Sequence, residues 1–372
     1  MIVGVPREVK TSEFRVALTP VGVRELVDHG HEVLIESDAG EGSTIHNEEY
    51  EAQGARIVPH ATDVYADADM ILKVKEPQPE EFGLFGPGQL LFTYLHLAAY
   101  PAVADALISS GVTAIAYETV QLADRSLPLL APMSEIAGRM ATQVGARFLE
   151  KAQGGRGVLL GGIPGVRPAK VVIIGGGTSG SNAAAVAVGM QAHVTVVDRD
   201  LARLRALDAH YEGRLSTMAS NRLTLEELVL DADLVIGSVL IPGASAPKLV
   251  TTDMVRGMPR GSVLVDIAID QGGCFETSRE TTHTDPVYTV HDVVHYAVGN
   301  IPGAVPNTST YGLTNATLPY VVALADLGAR AAADRHPELL GGVSVVSGAL
   351  TNIAVTASLG RDFVDPTVAL AG

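Results

Sequence analysis

The sequence predicts an α/β protein built from two doubly wound parallel-sheet domains, one inserted into the other. Three observations predict it. Short apolar runs alternate with helical segments almost throughout, which is the pattern of strands joined by crossover helices. At 372 residues the chain is too long for one ordinary core and suits about two domains. The stretch Lys170-Val-Val-Ile-Ile-Gly-Gly-Gly-Thr-Ser-Gly-Ser-Asn182 sets Gly175, Gly177 and Gly180 in the spacing G-x-G-x-x-G between a β-branched run and an Ala-rich segment.

Residues 2–5, 32–35, 70–74, 90–94 and 113–117 are apolar runs bounded by turn residues, and are expected to be strands. Helical segments such as 21–28 and 102–109 lie between them. Residues 133–148 are expected to be a helix, because Ile136, Met140, Val144 and Phe148 recur every fourth residue. Ser134 is the expected N-cap, with Glu135 in the first turn. Two Gly-rich stretches, 154–157 and 161–165, lead as a loop into the 170–174 strand. A second apolar run, His193-Val-Thr-Val-Val197, ends in Asp198. Strand, tight turn, helix, strand and an acid about 20 residues on make up a dinucleotide-binding fingerprint in its full context. Strands over 234–237, 262–267 and 287–290 continue that domain. A helix over 313–332 returns to the first domain, and 350–358 forms a last helix. The expected division is therefore 1–128 with 307–372 as a discontinuous substrate domain, and 129–306 as an inserted Rossmann NAD-binding domain.

Composition narrows the function. Lys and Arg number 26 against 42 Asp and Glu, a net charge of -16, and such a surface repels nucleic-acid phosphates. No apolar run reaches the 18 or more residues of a membrane span, and the first residues read as a strand rather than a signal peptide. The single Cys274 suits a reducing cytoplasm and reads as a packed thiol rather than a catalytic one.

The glycines permit the tight turn and the close approach of backbone N–H groups to a pyrophosphate at a helix N-terminus. Asp198 would accept hydrogen bonds from ribose hydroxyls and repel a 2′-phosphate, which favours NAD over NADP. Arg199 and Arg203 weigh the other way, since a nearby Arg can hold the extra phosphate. In open α/β sheets ligands sit beyond the carboxyl ends of strands. Lys75, His96 and Asp270 follow predicted strands, and Arg15 lies in the loop after the first. Two cations, an imidazole and a carboxylate facing a nicotinamide would suit oxidation of a small anionic substrate. The imidazole can move protons near neutral pH. Taken singly, Lys75 reads more readily as a solvated strand-end charge than as a catalytic residue, and His96 reads equally as packing or as chemistry. His291 and His295 have helical metal-ligand spacing but not the H-E-x-x-H pattern or a third ligand, so no metal is expected.

The chain resembles bacterial alanine dehydrogenases along nearly its whole length. The matching segments are Val5-Pro-Arg-Glu-Val-Lys10 through Arg15-Val-Ala-Leu-Thr-Pro20, Lys73-Val-Lys-Glu-Pro77 and Thr93-Tyr-Leu-His-Leu-Ala98. They continue with Pro132-Met-Ser-Glu-Ile-Ala-Gly-Arg139, Asp266-Ile-Ala-Ile-Asp-Gln-Gly-Gly273 and Asn300-Ile-Pro-Gly-Ala-Val-Pro306. The resemblance implies reversible NAD-dependent oxidative deamination of L-alanine to pyruvate and ammonia. It implies substrate contacts at Arg15 and Lys75, an acid/base at His96 and a second catalytic residue at Asp270. It further implies cofactor contacts at Ser134, Asp198, Arg203, Ser220 and Asn300, and a homohexamer. The rival readings are the soluble nucleotide-binding subunit of proton-translocating transhydrogenase, an opine- or saccharopine-type dehydrogenase, and a catalytically dead NAD sensor. The presence of Lys75, His96 and Asp270 together counts against the first and the last.

Overall fold

In the computed structural model, which describes residues 1–239 and 246–371, the β-branched runs form strands and the Ala-rich and amphipathic stretches form the helices between them. The chain divides into two compact units, Met1–Met133 with Val305–Gly372, and Ser134–Ala304.

The first unit carries β1 (Ile2–Val5), β2 (Glu32–Glu36), β3 (Arg56–Val58), β4 (Met70–Leu72), β5 (Leu90–Thr93) and β6 (Thr113–Ala116). The second carries β7 (Lys170–Ile174), β8 (His193–Asp198), β9 (Ser216–Ala219), β10 (Leu234–Gly237), β11 (Val263–Asp266), β12 (Val287–Val290) and β13 (Val293–Tyr296). Late in the chain, β14 (Val343–Val346) and β15 (Ala349–Leu350) rejoin the first sheet. Its order is β15-β14-β6-β5-β4-β1-β2-β3, and that of the second sheet is β12-β13-β11-β10-β7-β8-β9. Strands β1 to β6 pair in parallel, as do β7 to β11 with β13. Each sheet ends in an antiparallel edge, β14 on β6 in one and β12 on β13 in the other. Central strands such as β5 and β10 are buried at every position, as expected where helices cover both faces.

Several elements differ from expectation. The helix begins at Ala131 rather than Met133, so Ser134 is its fourth residue and not its N-cap, and no acid stands in its first turn. Pro132 opens that helix, since its missing N–H falls where no intrahelical partner exists anyway. The long C-terminal helix runs Pro306–Arg335 and is broken at Gly328, whose φ of 74° and ψ of 168° are non-helical. The expected helix 350–358 begins only at Ile353, because Leu350 pairs in β15. Strands β3, β9, β13, β14 and β15 are not among those the sequence predicts: β3 and β15 are only three and two residues long, and the others carry no clear alternation. His291 and His295 do not share a helix: His291 and Asp292 turn a hairpin with φ of 51° and 62°, and His295 lies in β13.

Candidate active site

In the first unit the candidate residues gather at the carboxyl ends of β1, β4 and β5. Strands β4 and β5 are parallel neighbours, with Leu72 opposite Phe92, so the segments that follow them emerge side by side. The Thr93 hydroxyl ties them together by donating to the Lys75 carbonyl at 2.9 Å. Lys75 is half-buried, between the buried Lys73 and Glu76.

His96 sits in a left-handed backbone conformation, φ 49°, which is uncommon for a residue with a side chain. A carboxylate stabilises it there: Glu118 Oε1 accepts the His96 backbone N–H at 2.7 Å, and Glu118 Oε2 accepts that of Leu95 at 3.2 Å. The ring stacks on Tyr94 with centroids 5.9 Å apart, and its Nδ1 lies 3.8 Å from Glu76 Oε2. The side chain is 37% exposed, so the imidazole is held from one side and open on another.

Arg15 is 2% exposed. Its Nε and Nη2 donate to the two carboxylate oxygens of Glu13 at 2.6 and 2.5 Å, and its Nη1 points to Met133 Sδ at 3.0 Å. Burial opposes the guanidinium charge, but Glu13 outweighs it and raises the Arg15 proton affinity further. Burial likewise pushes the Glu13 carboxyl up, yet Arg15 and, through space, Lys75 bring it down to about 2. Behind this group, the fully buried Lys73 ammonium pairs with Glu81 at 2.8 Å and Glu8 at 3.2 Å. Glu8 also accepts the Val74 N–H at 2.6 Å, which pins the segment that leads to Lys75.

In the second unit the fingerprint adopts the geometry its glycines allow. Gly175 has φ 104°. A Cβ on Gly180 would lie 1.8 Å from the Gly175 carbonyl oxygen, so only glycine lets the helix Thr178–Gly189 approach the turn this closely. Gly177 is the N-cap residue of that helix. A Cβ on Gly138 would lie 2.0 Å from the Ser179 carbonyl, and Arg139 Nε donates to Asn182 Oδ1 at 2.9 Å, so the helix bearing Ser134 packs directly on the fingerprint helix. Asp198 ends β8 with Oδ2 accepting the Gly176 N–H at 2.6 Å and Oδ1 accepting the Asp200 N–H at 2.8 Å. Arg203 Nη1 stands 3.8 Å from Asp198 Oδ2. The Ser220 N–H donates to the Asp198 carbonyl at 2.9 Å, which places Ser220 beside the same strand end. A cavity of ≈ 400 Å³ opens here, lined by Gly176, Asn182, Arg203, Leu207 and Tyr211 among others. The bare turn, the helix N-terminus and the strand-end carboxylate fit a dinucleotide.

Asp270 is exposed on the short turn Ile269–Gln271. The loop is shaped by Asp266, 1% exposed, which accepts N–H groups of Ala268 and Cys274 and the Ser278 hydroxyl. Burial pushes the Asp266 carboxyl above its ordinary range against those bonds. A Cβ on Gly299 would lie 3.2 Å from Asp270 Oδ1, so Asp270 borders the turn that carries Asn300, φ 60°. The Asn300 carbonyl is held by His283 Nε2 at 3.1 Å. His295 Nε2 is bonded to Thr277 Oγ1 at 2.7 Å and its Nδ1 to the Val293 carbonyl at 3.0 Å, a packed histidine. Among the described residues no group of three or more His, Cys, Asp or Glu could hold a metal ion, and no helix is long and apolar enough to cross a membrane.

Sequence reasoning missed the carboxylates that hold these groups: Glu13, Glu76, Glu118 and Asp266. Glu13 stands two residues before Arg15, and Glu76 adjoins Lys75 within a matched segment. Glu118, 22 positions beyond His96, left no sequence signal.

Residues 4–137 match the family model of the alanine dehydrogenase/PNT N-terminal domain, and 141–353 that of its C-terminal domain. The chain is 58% identical over 371 residues to alanine dehydrogenase of Mycobacterium tuberculosis H37Rv, covering all of both chains. It is 54% identical over 371 residues to that of Bacillus subtilis, covering 100% of this chain and 98% of the other. A solved L-alanine dehydrogenase superposes with a TM-score of 0.94 at 51% identity, over 97% of this chain and 99% of that one. A transhydrogenase from Sinorhizobium meliloti superposes with a TM-score of 0.82 at 26% identity, over 95% and 100%.

Proposed function

Because the chain belongs to the alanine dehydrogenase/PNT family, we propose that it catalyses reversible oxidative deamination of L-alanine to pyruvate and ammonia with NAD as its pyridine nucleotide. The observation that carries this reading is the group at the carboxyl ends of β1, β4 and β5. There a guanidinium, an ammonium and an imidazole, Arg15, Lys75 and His96, are braced by Glu13, Glu76 and Glu118. Such a set fits a small amino or keto acid.

When bound, the nicotinamide supplies the oxidation by accepting the Cα hydride. Glu13 fixes the Arg15 guanidinium, and Arg15 presents Nη1 to the substrate carboxylate, which is a far better acceptor than the Met133 thioether now beside it. Lys75 holds the substrate carboxylate and stabilises oxygen charge as pyruvate forms. His96 takes a proton from the water that adds to the iminium carbon, and returns it in the reverse direction. Asp270 acts on the attacking water or departing ammonia. Gly175, Gly177 and Gly180 leave backbone N–H groups for the pyrophosphate, and Asp198 takes the ribose hydroxyls. Ser134, Arg203, Ser220 and Asn300 complete the cofactor contacts. The proposed assembly is a homohexamer. Apolar side chains exposed on the single chain, Val21 at 68%, Leu159 at 66% and Ile353 at 70%, are consistent with it, and light scattering on purified protein tests it. The proposed setting is the cytoplasm, where the buried free thiol of Cys274 stays reduced.

Initial NADH formation from NAD and L-alanine at alkaline pH, run beside Lys75→Ala, tests the function. NADP, D-alanine and glycine serve as comparisons. Turnover in the wild type with NAD and L-alanine preferred, and a loss of about 10²-fold or more in Lys75→Ala with NADH binding retained, is the expected result. NADH binding without turnover on any amino acid would overturn the dehydrogenase reading and favour the transhydrogenase-like one.

A further inference from the structure

We propose that Glu76 is the positioning residue for His96: it orients the imidazole through Nδ1 and sets its proton affinity, leaving Nε2 as the nitrogen that exchanges protons with substrate. The inference rests on the deamination reading.

The carboxylate of Glu76 is 2% exposed. Its Oε1 is taken by the Lys10 ammonium. Its Oε2 is fully buried and has no hydrogen-bond partner among the described residues. Buried carboxylate oxygens are rarely left without a donor. The group that faces this one is His96 Nδ1, at 3.8 Å. That is an ion-pair separation and too long for a hydrogen bond, and catalytic hydrogen bonds commonly tighten only when substrate is bound. The backbone of His96 is already fixed by Glu118, so the ring torsion is the freedom that remains.

The charges around the ring are few. Glu76 faces it from the segment after β4, with Lys75 adjacent in sequence and Lys10 sharing the same carboxylate. Glu118 touches the backbone and not the ring, and Tyr94 stacks on the ring. Tyr100 lies under the Lys10 ammonium at 5.2 Å. Burial pushes the Glu76 carboxyl up, but His96 and Lys10 outweigh it and bring it down to about 2, so it stays anionic at any working pH. A buried anion at Nδ1 makes the imidazole a stronger base and fixes its tautomer. Lys10 then acts as the counterweight, since it draws on the same negative charge.

The test is Glu76→Gln beside Lys10→Met in the full-length enzyme. It is read by the pH profile of kcat/KM for L-alanine and by NMR titration of the His96 imidazole. In Glu76→Gln the acid limb and the titration should move to lower pH, and the plateau should fall about ten- to hundredfold, with NADH affinity unchanged. In Lys10→Met both should move to higher pH. An unmoved limb and titration in Glu76→Gln overturn the proposal, and so does a downward shift in Lys10→Met. If Glu76→Gln does not fold, the direction of the Lys10→Met shift decides alone. If the wild type does not oxidise L-alanine, the imidazole titration still reports the Glu76–His96 coupling, so the two readings fail separately.

Discussion

The two sheets follow the same course and do different work. Through six parallel strands the first runs β3-β2-β1-β4-β5-β6 and the second β9-β8-β7-β10-β11-β13. The likeness extends to a carboxylate. Glu36, at the end of β2, accepts the Arg7 N–H at 2.7 Å, as Asp198, at the end of β8, accepts the Gly176 N–H at 2.6 Å. Each amide belongs to the second residue past its strand. The turns that carry those amides differ. In the second unit the turn is all glycine and opens straight into a helix, so what it offers a ligand is backbone N–H groups. In the first unit the corresponding segment is Pro6-Arg7-Glu8 and continues as a loop to Thr19, and what it offers is side chains: Lys10, Glu13 and Arg15. One topology thus presents backbone N–H groups at one turn and charged side chains at the other, and the choice lies in the turn rather than the fold.

Single substitutions in the two turns should have very different consequences. Gly180→Ala places a Cβ 1.8 Å from a carbonyl oxygen, so the helix must retreat from the turn. NADH affinity should fall at least about tenfold and stability by about 1–3 kcal/mol. Arg7→Ala changes an exposed side chain whose role is carried by its backbone, and NADH affinity should stay within about twofold. NADH fluorescence titration reads both without interference, since the chain has no Trp. Normal binding by Gly180→Ala would show that the close approach at the glycine turn does not hold the cofactor.

Acid should separate the units next. Burial lowers His295 in the second unit from 6.5 to about 4. The unfolded chain therefore takes up that proton first, and stability present above pH 6.5 is lost as pH falls toward 4. In the first unit Glu13 and Glu76 are lowered from 4.5 to about 2, so their contribution is present above 4.5 and lost only between there and 2. Asp266, raised by burial, works the opposite way to His295, so the informative quantity is the difference between wild type and His295→Asn. That variant should lose on the order of 2 kcal/mol of the acid sensitivity between pH 6.5 and 4 seen by hydrogen exchange in Ser134–Ala304. Equal acid sensitivity in both proteins would show that His295 is not the group responsible.

The smallest effect concerns cofactor choice. Asp198→Ser removes the charge that would repel a 2′-phosphate and leaves Arg203 close by. The kcat/KM ratio of NADP to NAD should rise about tenfold, or ~1.4 kcal/mol. A ratio that does not move would take Asp198 out of the discrimination.

Much of this is legible in the sequence. The fingerprint was readable because its signal is local: glycines at a fixed spacing, a strand before them and an acid after the next strand. Lys75 and His96 were readable as neighbours because each follows a strong apolar run and parallel strands deliver their ends to one side. Ser134 was misread as an N-cap because Ser followed by Glu imitates a helix start, while Ala131 and Pro132 had already begun the helix. Strands β14 and β15 escape the sequence because β15 is only two residues long and β14, Val343-Ser-Val-Val346, shows no clear alternation.

By itself the sequence determined the class of fold, the kind of cofactor and the roster of charged residues at strand ends, because these depend on periodicity and on spacings of a few residues. Only the tertiary structure decided which of those charges are ready to act. Glu118 reaches His96 across 22 positions, Glu76 across 20 and Lys10 reaches Glu76 across 66. Contacts at that range exist only once the parallel strands have paired. Burial then determines whether each carboxylate braces a neighbour or merely faces water.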